Sequence, residues 1–231
     1  MRFRALLLGT CAGIAAAQGA PAPWQADLAA FDAAFAKLKA EGPIRATDFE
    51  SRAGVARILG QLEKEDQFLR RSWQLPWEHG YGGTEAEAAF KRAFEPRSLA
   101  MDKANAEVLR RILDRWGWLD SRIWGQPTED QAWLLAQHAD HDVAFQKRVL
   151  GMMEALVSQG GADPMHFAYL WDRVAVNEGR PQRYGTQGRC MGPGRWEPRP
   201  MEDPEHVDAR RDAMGLPPMA DYLATFKGLC H

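Results

Sequence analysis

Apolar residues recur every three or four positions through most of this chain, and that spacing predicts helices nearly end to end. Leu28, Phe31, Phe35 and Leu38 mark one stripe between Trp24 and Lys39, which Gly42-Pro43 stops. Val55, Ile58, Leu62, Phe68 and Leu69 mark a second between Asp48 and about Trp73. Thr84-Glu85-Ala86-Glu87 reads as a capping box opening a helix to about Phe94, before Pro96. Val108, Leu109, Ile112, Leu113 and Trp116 form a separate stripe closed by Gly117. Pro127-Thr128 opens a helix holding Trp133, Leu134 and Leu135, and another carries Phe145, Val149, Leu150, Met153 and Leu156 up to Gly160-Gly161. Asp163-Pro164 pairs an N-cap with proline at the first helical position, for a helix through Val176. Asp203-Pro204 repeats the device for a helix ending at Gly215, and a last short helix follows Pro217-Pro218. Alternating patterns are confined to Arg183–Gln187 and Arg195–Arg199, which predict one small two-stranded hairpin within 183–199. With no internal repeat and no long linker, the pattern predicts one multi-helical, all-α domain over residues 18–231.

The N-terminus stands apart. Met1-Arg-Phe-Arg4 is a basic head, followed by the apolar run Ala5 to Ala17. That run is short of the ~20 residues a membrane-crossing helix needs, and it ends in small residues, the pattern of a secretory signal peptide. Cleavage is expected after Ala17, leaving no stable membrane span and an exported protein, periplasmic or extracellular. Lipidation at Cys11 is the lesser alternative, because Thr10 fits poorly before a lipidated cysteine. Export makes Cys190 and Cys230 a natural disulfide pair. The 29 Lys+Arg against 31 Asp+Glu argue against a nucleic-acid partner, and losing Arg2 and Arg4 makes the chain more acidic still.

Four polar groups interrupt the apolar pattern. Asp66 and Arg70 stand four apart on the second helix with Glu65 and Gln67 beside them, which by itself reads as a solvated helical face. Gln137-His138-Ala139-Asp140-His141-Asp142 offers His138, His141 and Asp142 on one face if the helix is continuous, a set able to hold zinc or iron. The same string is good helix-breaking chemistry, with Asp140 or Asp142 capping the next helix, and a break scatters those ligands. No metal and no cofactor is therefore assigned. Asp172-Arg173 and Gln182-Arg183-Tyr184-Gly185-Thr186-Gln187 concentrate directional donors and acceptors, either to bind a ligand or to tie helix ends. Arg210-Arg211, near Asp203, Glu205 and His206, reads as dipole compensation at a helix end.

Taken together, Glu65-Asp66-Gln67-x-x-Arg70, Gln137-His138-Ala139-Asp140, Phe145-Gln146, Tyr169-Leu170-x-Asp172-Arg173 and Gln182-x-Tyr184-Gly185-Thr186-Gln187 resemble an uncharacterised bacterial domain-of-unknown-function family, most recognisable by its Tyr-Gly-Thr-Gln string. The resemblance spans roughly Leu62 to Tyr222. It implies a helical domain whose polar strings belong together, and it carries no activity, cofactor or catalytic assignment.

Two functions follow from these residues. One is an exported hydrolase-like enzyme in which His138 transfers a proton, oriented by Asp66 or Asp142, while Gln67, Arg70, Arg173, Gln182, Tyr184 and Gln187 bind substrate. No Gly-x-Ser-x-Gly elbow is present, so water is its nucleophile. The other is a non-catalytic binding module for a small polar ligand, peptide or sugar, with some of the nine Trp as stacking surfaces.

Overall fold

A computed structural model describes residues 22–226, 228 and 230. The expected leader, with Cys11 and the Ala17 cleavage point, lies outside the described residues. The helices are α1 (Pro23–Glu41), α2 (Arg52–Ser72), α3 (Leu75–Glu78), α4 (Glu85–Trp116), α5 (Ser121–Trp124), α6 (Gln126–Gln137), α7 (Val143–Val157), α8 (Pro164–Asn177), α9 (Val207–Asp212) and α10 (Met219–Ala224). One antiparallel hairpin, β1 (Gly188–Gly192) with β2 (Arg195–Pro198), is the sole sheet among the described residues. The expected all-α architecture with a small hairpin is what forms. No described helix is long and apolar enough to cross a membrane.

Two apolar cores share α4. The larger brings Ile58 and Leu59 of α2, Leu109, Ile112 and Leu113 of α4, Leu135 of α6, and Val149 and Met153 of α7 together with Leu170 of α8. The smaller sets Leu28 and Phe31 of α1 against Leu69 of α2 and Phe90, Phe94 and Met101 of α4. Each such side chain taken fully out of water contributes about 1.5–3 kcal/mol before entropy is counted.

Local chemistry explains where the elements begin. Ser51 caps α2 by accepting from Gly54 N at 3.1 Å, so the segment expected to start the helix at Asp48 forms a 3₁₀ turn, Ala46–Glu50, ahead of it. Thr84 caps α4 by accepting from Ala86 N, while Glu87 reaches back to Gly83 N at 2.6 Å. Asp163 caps α8 as expected, accepting from Met165 N at 2.7 Å. Asp203 does not cap a helix. It adopts a left-handed backbone (φ 39°), and its carboxylate meets His206 instead.

The break expected at Pro96 is absent, and the two stripes are one 32-residue helix. Proline removes one i→i−4 hydrogen bond and crowds the preceding turn. Here Arg97 Nη1 donates to the Ala93 carbonyl at 2.7 Å, and burial of Phe90, Phe94 and Met101 on either side outweighs the defect. Pro96→Ala is expected to restore the missing bond and raise unfolding free energy by about 1–3 kcal/mol, seen as a higher thermal midpoint.

The hairpin is displaced from its expected position. Its second strand falls where the pattern placed it, but the first begins at Gly188, because Arg183–Gln187 is held as a loop by Asp172. Cys190 thus lies in a strand, paired with Trp196, and its disulfide to Cys230 fastens the chain's C-terminal end to the hairpin.

Candidate functional site

His138 sits where α6 stops. Its own N–H donates to the Leu134 carbonyl as the last turn closes, and the side chain is directed to α2. There Nδ1 lies 2.9 Å from Asp66 Oδ1. Asp66 is completely buried and the imidazole keeps 16 % of its surface exposed, so the pair joins a desolvated carboxylate to a solvent-reachable ring. His138 Nε2 has no hydrogen-bond partner among the described residues.

The rest of the α2 string surrounds that carboxylate. Gln67 Nε2 donates to Asp66 Oδ2 at 3.1 Å, and Arg70 donates to Oδ1 through Nε and Nη2 at 3.3 Å each. Arg70 continues to α4, pairing closely with Asp102 and donating to Ser98 Oγ at 3.3 Å. The expected solvated face is therefore a buried one, since the α2 side bearing Asp66 packs against α4 and α6. Gln67 and Arg70 are bonded to protein carboxylates, an orienting arrangement. Burial pushes the Asp102 carboxyl above its ordinary value; Arg70 and His138 oppose that shift and the Asp66 charge adds to it.

Asp102 and Ser98 join the site although the sequence pattern does not single them out. Their signal was three polar residues, Ser98, Asp102 and Asn105, at helical spacing inside an apolar stretch. It is readable only if the helix is known to pass Pro96.

The turn after His138 is built by a buried glutamine. Helix ends leave carbonyls without partners. Gln146 Nε2 satisfies those of Ala136 and Gln137 at 3.2 and 3.1 Å, and also donates to Asp140 Oδ1 at 3.2 Å. Asp140 Oδ1 further accepts from Arg173 Nε and Asn177 Nδ2, both at 2.9 Å. Arg173 Nη1 reaches Gln187 Oε1 at 3.4 Å. Arg173 thus bridges Asp140, two residues beyond His138, to Gln187. The break also settles Asp142, which caps α7 by accepting from Phe145 N at 2.9 Å and pairs with Arg110 at 2.7 Å. Of the two carboxylates considered for His138, Asp66 is the one bonded to it.

Gln182 and Tyr184 are placed differently. Asp172, fully buried on α8, accepts from the backbone N–H groups of Arg183, Tyr184 and Thr186 and from Thr186 Oγ1, all between 2.7 and 3.2 Å. Gln182 is equally buried, donating to the carbonyls of Gln187 and Arg199 and accepting from Gln187 N at 2.8 Å. Gly185 supplies the left-handed turn (φ 72°), and a Cβ there would come within 2.8 Å of the sulfurs of Met201 and Met219. Tyr184 is buried and its carbonyl accepts from Arg211. Arg210 donates to the carbonyls of Arg183, Glu202 and Asp203. The two arginines therefore bind this loop rather than compensate a helix dipole. The loop ties helix ends, and Gln182 and Tyr184 are closed within it.

His138, His141 and Asp142 do not form a metal-ligand set. Among the described residues, the group whose ligand atoms lie within 4.8 Å of one another is Glu129, Asp130 and His166. Gln126 donates to both carboxylates there, and the His166 ring stacks on Trp133 at 3.9 Å.

A helical scaffold with a buried Asp–His pair at a helix junction is the class that fold and site define. Residues 67–229 match a family of unknown function, DUF6624, and the chain belongs to that family. The match takes in most of the region, Leu62 to Tyr222, over which the resemblance was drawn. No curated protein and no solved structure matches the chain.

Proposed function

We propose that this protein is an exported enzyme that hydrolyses a small polar substrate, with His138 as the proton-transfer group. The observation carrying the reading is the 2.9 Å contact of His138 Nδ1 with the buried Asp66 carboxylate, which leaves Nε2 unpartnered. A carboxylate accepting from Nδ1–H fixes the imidazole tautomer and stabilises the imidazolium that forms when Nε2 takes a proton. Water supplies the nucleophile, since no serine or cysteine among the described residues hydrogen-bonds His138. Gln67 and Arg70 orient Asp66. Arg173, bonded to Asp140 of the same turn, and Gln187, bonded to Arg173, are the groups left to contact substrate. Export is supported by the N-terminal basic-apolar pattern and by the Cys190–Cys230 disulfide, a bond typical of oxidising compartments.

The test is a screen of chromogenic esters, amides, phosphoesters and glycosides with wild type, His138→Ala, Asp66→Asn and Asp142→Ala. His138→Ala is expected to lower kcat/KM about 10²–10⁴-fold. Asp142→Ala is expected to leave kcat/KM unchanged while costing about 1 kcal/mol of stability through its lost cap. Undiminished turnover in His138→Ala removes the histidine from the mechanism. Absence of turnover in every substrate class favours the binding module.

A further inference from the structure

A cavity of about 500 Å³ opens between α1, the turn at 42–44, α2 and α4. Its walls include Phe31, Phe35, Leu62, Leu69 and Met101. Small-molecule sites are commonly about 300–1,000 Å³, mainly apolar, with a few placed polar groups. Of the five polar side chains that line this one, Asp32, Lys39 and Arg97 are not buried, whereas Glu65 of α2 and Asn105 of α4 are only 5 % and 3 % exposed.

Neither is fully matched by the protein. Glu65 Oε1 accepts from Gln61 Nε2 at 2.9 Å, but no cationic side chain reaches the carboxylate among the described residues. Three other buried carboxylates meet cations, Asp66 with Arg70, Glu87 with Lys91 and Asp120 with Arg122, and Asp172, which meets none, accepts from three backbone N–H groups and a hydroxyl instead. The Asn105 carboxamide makes no hydrogen bond among the described residues, and its amide nitrogen is fully buried. A buried charge without a counter-ion and a buried amide without a partner are costly, and neither is needed to fill an apolar seam. The rim offers Glu65 no substitute: Arg97 is held by Asp32 at 2.7 Å, and Lys39 lies over the Phe35 ring, 5.7 Å from its centroid.

We propose that this cavity binds a small apolar amine. The ammonium carries donors only, which suits the Glu65 carboxylate. The hydrocarbon body lies along Phe31, Phe35, Leu62 and Met101. The site is independent of the His138 chemistry, because none of the residues lining it belongs to the Asp66–His138 pair.

Calorimetric titration of the full chain with n-octylamine, 1-octanol and octanoate tests this. Octylamine is expected to bind at least tenfold more tightly than octanol, and octanoate more weakly than either. Glu65→Gln is expected to weaken octylamine at least tenfold, the order lost with a charge-assisted hydrogen bond, without lowering the thermal midpoint. Asn105→Leu is expected to raise the midpoint, because it replaces an unpartnered amide with an apolar group, and to leave the preference for octylamine over octanol in place. Octylamine binding no tighter than octanol overturns the proposal, as does equal octylamine affinity in Glu65→Gln. If Glu65→Gln does not fold, unchanged octylamine affinity in Glu65→Asp, which draws the carboxylate back by one methylene, overturns it.

Discussion

Asp172→Ala is expected to lower the unfolding free energy by about 3–5 kcal/mol, the range for breaking a buried polar network. The substitution leaves three backbone N–H groups and the Thr186 hydroxyl without their acceptor, in a place water does not reach. Each such donor costs about 1–3 kcal/mol, and partial relaxation of the loop keeps the total below their sum. Urea unfolding followed by tryptophan fluorescence measures it; a loss under about 1 kcal/mol would mean that the loop is held by something other than this carboxylate. A pH dependence accompanies the effect. Burial holds the Asp172 carboxyl above its ordinary value, against the opposing pull of the N–H groups bonded to it. The folded state therefore binds this proton more tightly than the unfolded chain does. The stability it contributes is full below the unfolded aspartate value and is lost as pH rises through the folded one. The gap between wild type and Asp172→Asn should accordingly narrow as pH is raised from mildly acidic to neutral.

Reduction of the Cys190–Cys230 disulfide is the second large effect. The bridge spans 40 residues of sequence, and on the chain-entropy account closing such a loop stabilises by about 3–4 kcal/mol. For a chain of this size that is roughly 10 °C in thermal midpoint. The bridge also keeps the C-terminal segment over the hairpin, where Trp196 and Phe226 stack at 4.0 Å and Gly194 N donates to the Cys230 carbonyl at 2.7 Å. A melt with and without reductant, alongside Cys190→Ser/Cys230→Ser, is the measurement. An unchanged midpoint would place the unfolding transition in the helical cores, with the tail already detached.

Helices whose apolar spacing and caps agree were legible directly, as in α1 with Leu28 and Phe31 and in α8 with Asp163-Pro164. The continuity of α4 was not, because a proline's local cost is visible in sequence while the burial that offsets it is not. The hairpin register was hidden for a related reason. Arg183–Gln187 has strand-like alternation, yet its N–H groups are taken by a carboxylate 11 to 14 residues earlier in the chain. At the candidate site, His138 could be singled out and Asp66 named as one of two orienting carboxylates. Their selection of each other across 72 residues needed the α2–α6 packing. Asp102 was lost with the continuity of α4. Gln182 and Tyr184 show the limit from the other side, since polar residues in a loop look alike whether they face a ligand or the loop's own backbone.

The length of α4 has a mechanical consequence. At about 1.5 Å per residue its 32 residues make a rod near 48 Å long, and both apolar cores are assembled on it. Neither core can dissolve without releasing one end of the rod that the other needs straight. Met101 and Asn105 line the amine cavity while Asp102, between them, holds Arg70, so the cavity and the network behind His138 rest on the same turns of the rod.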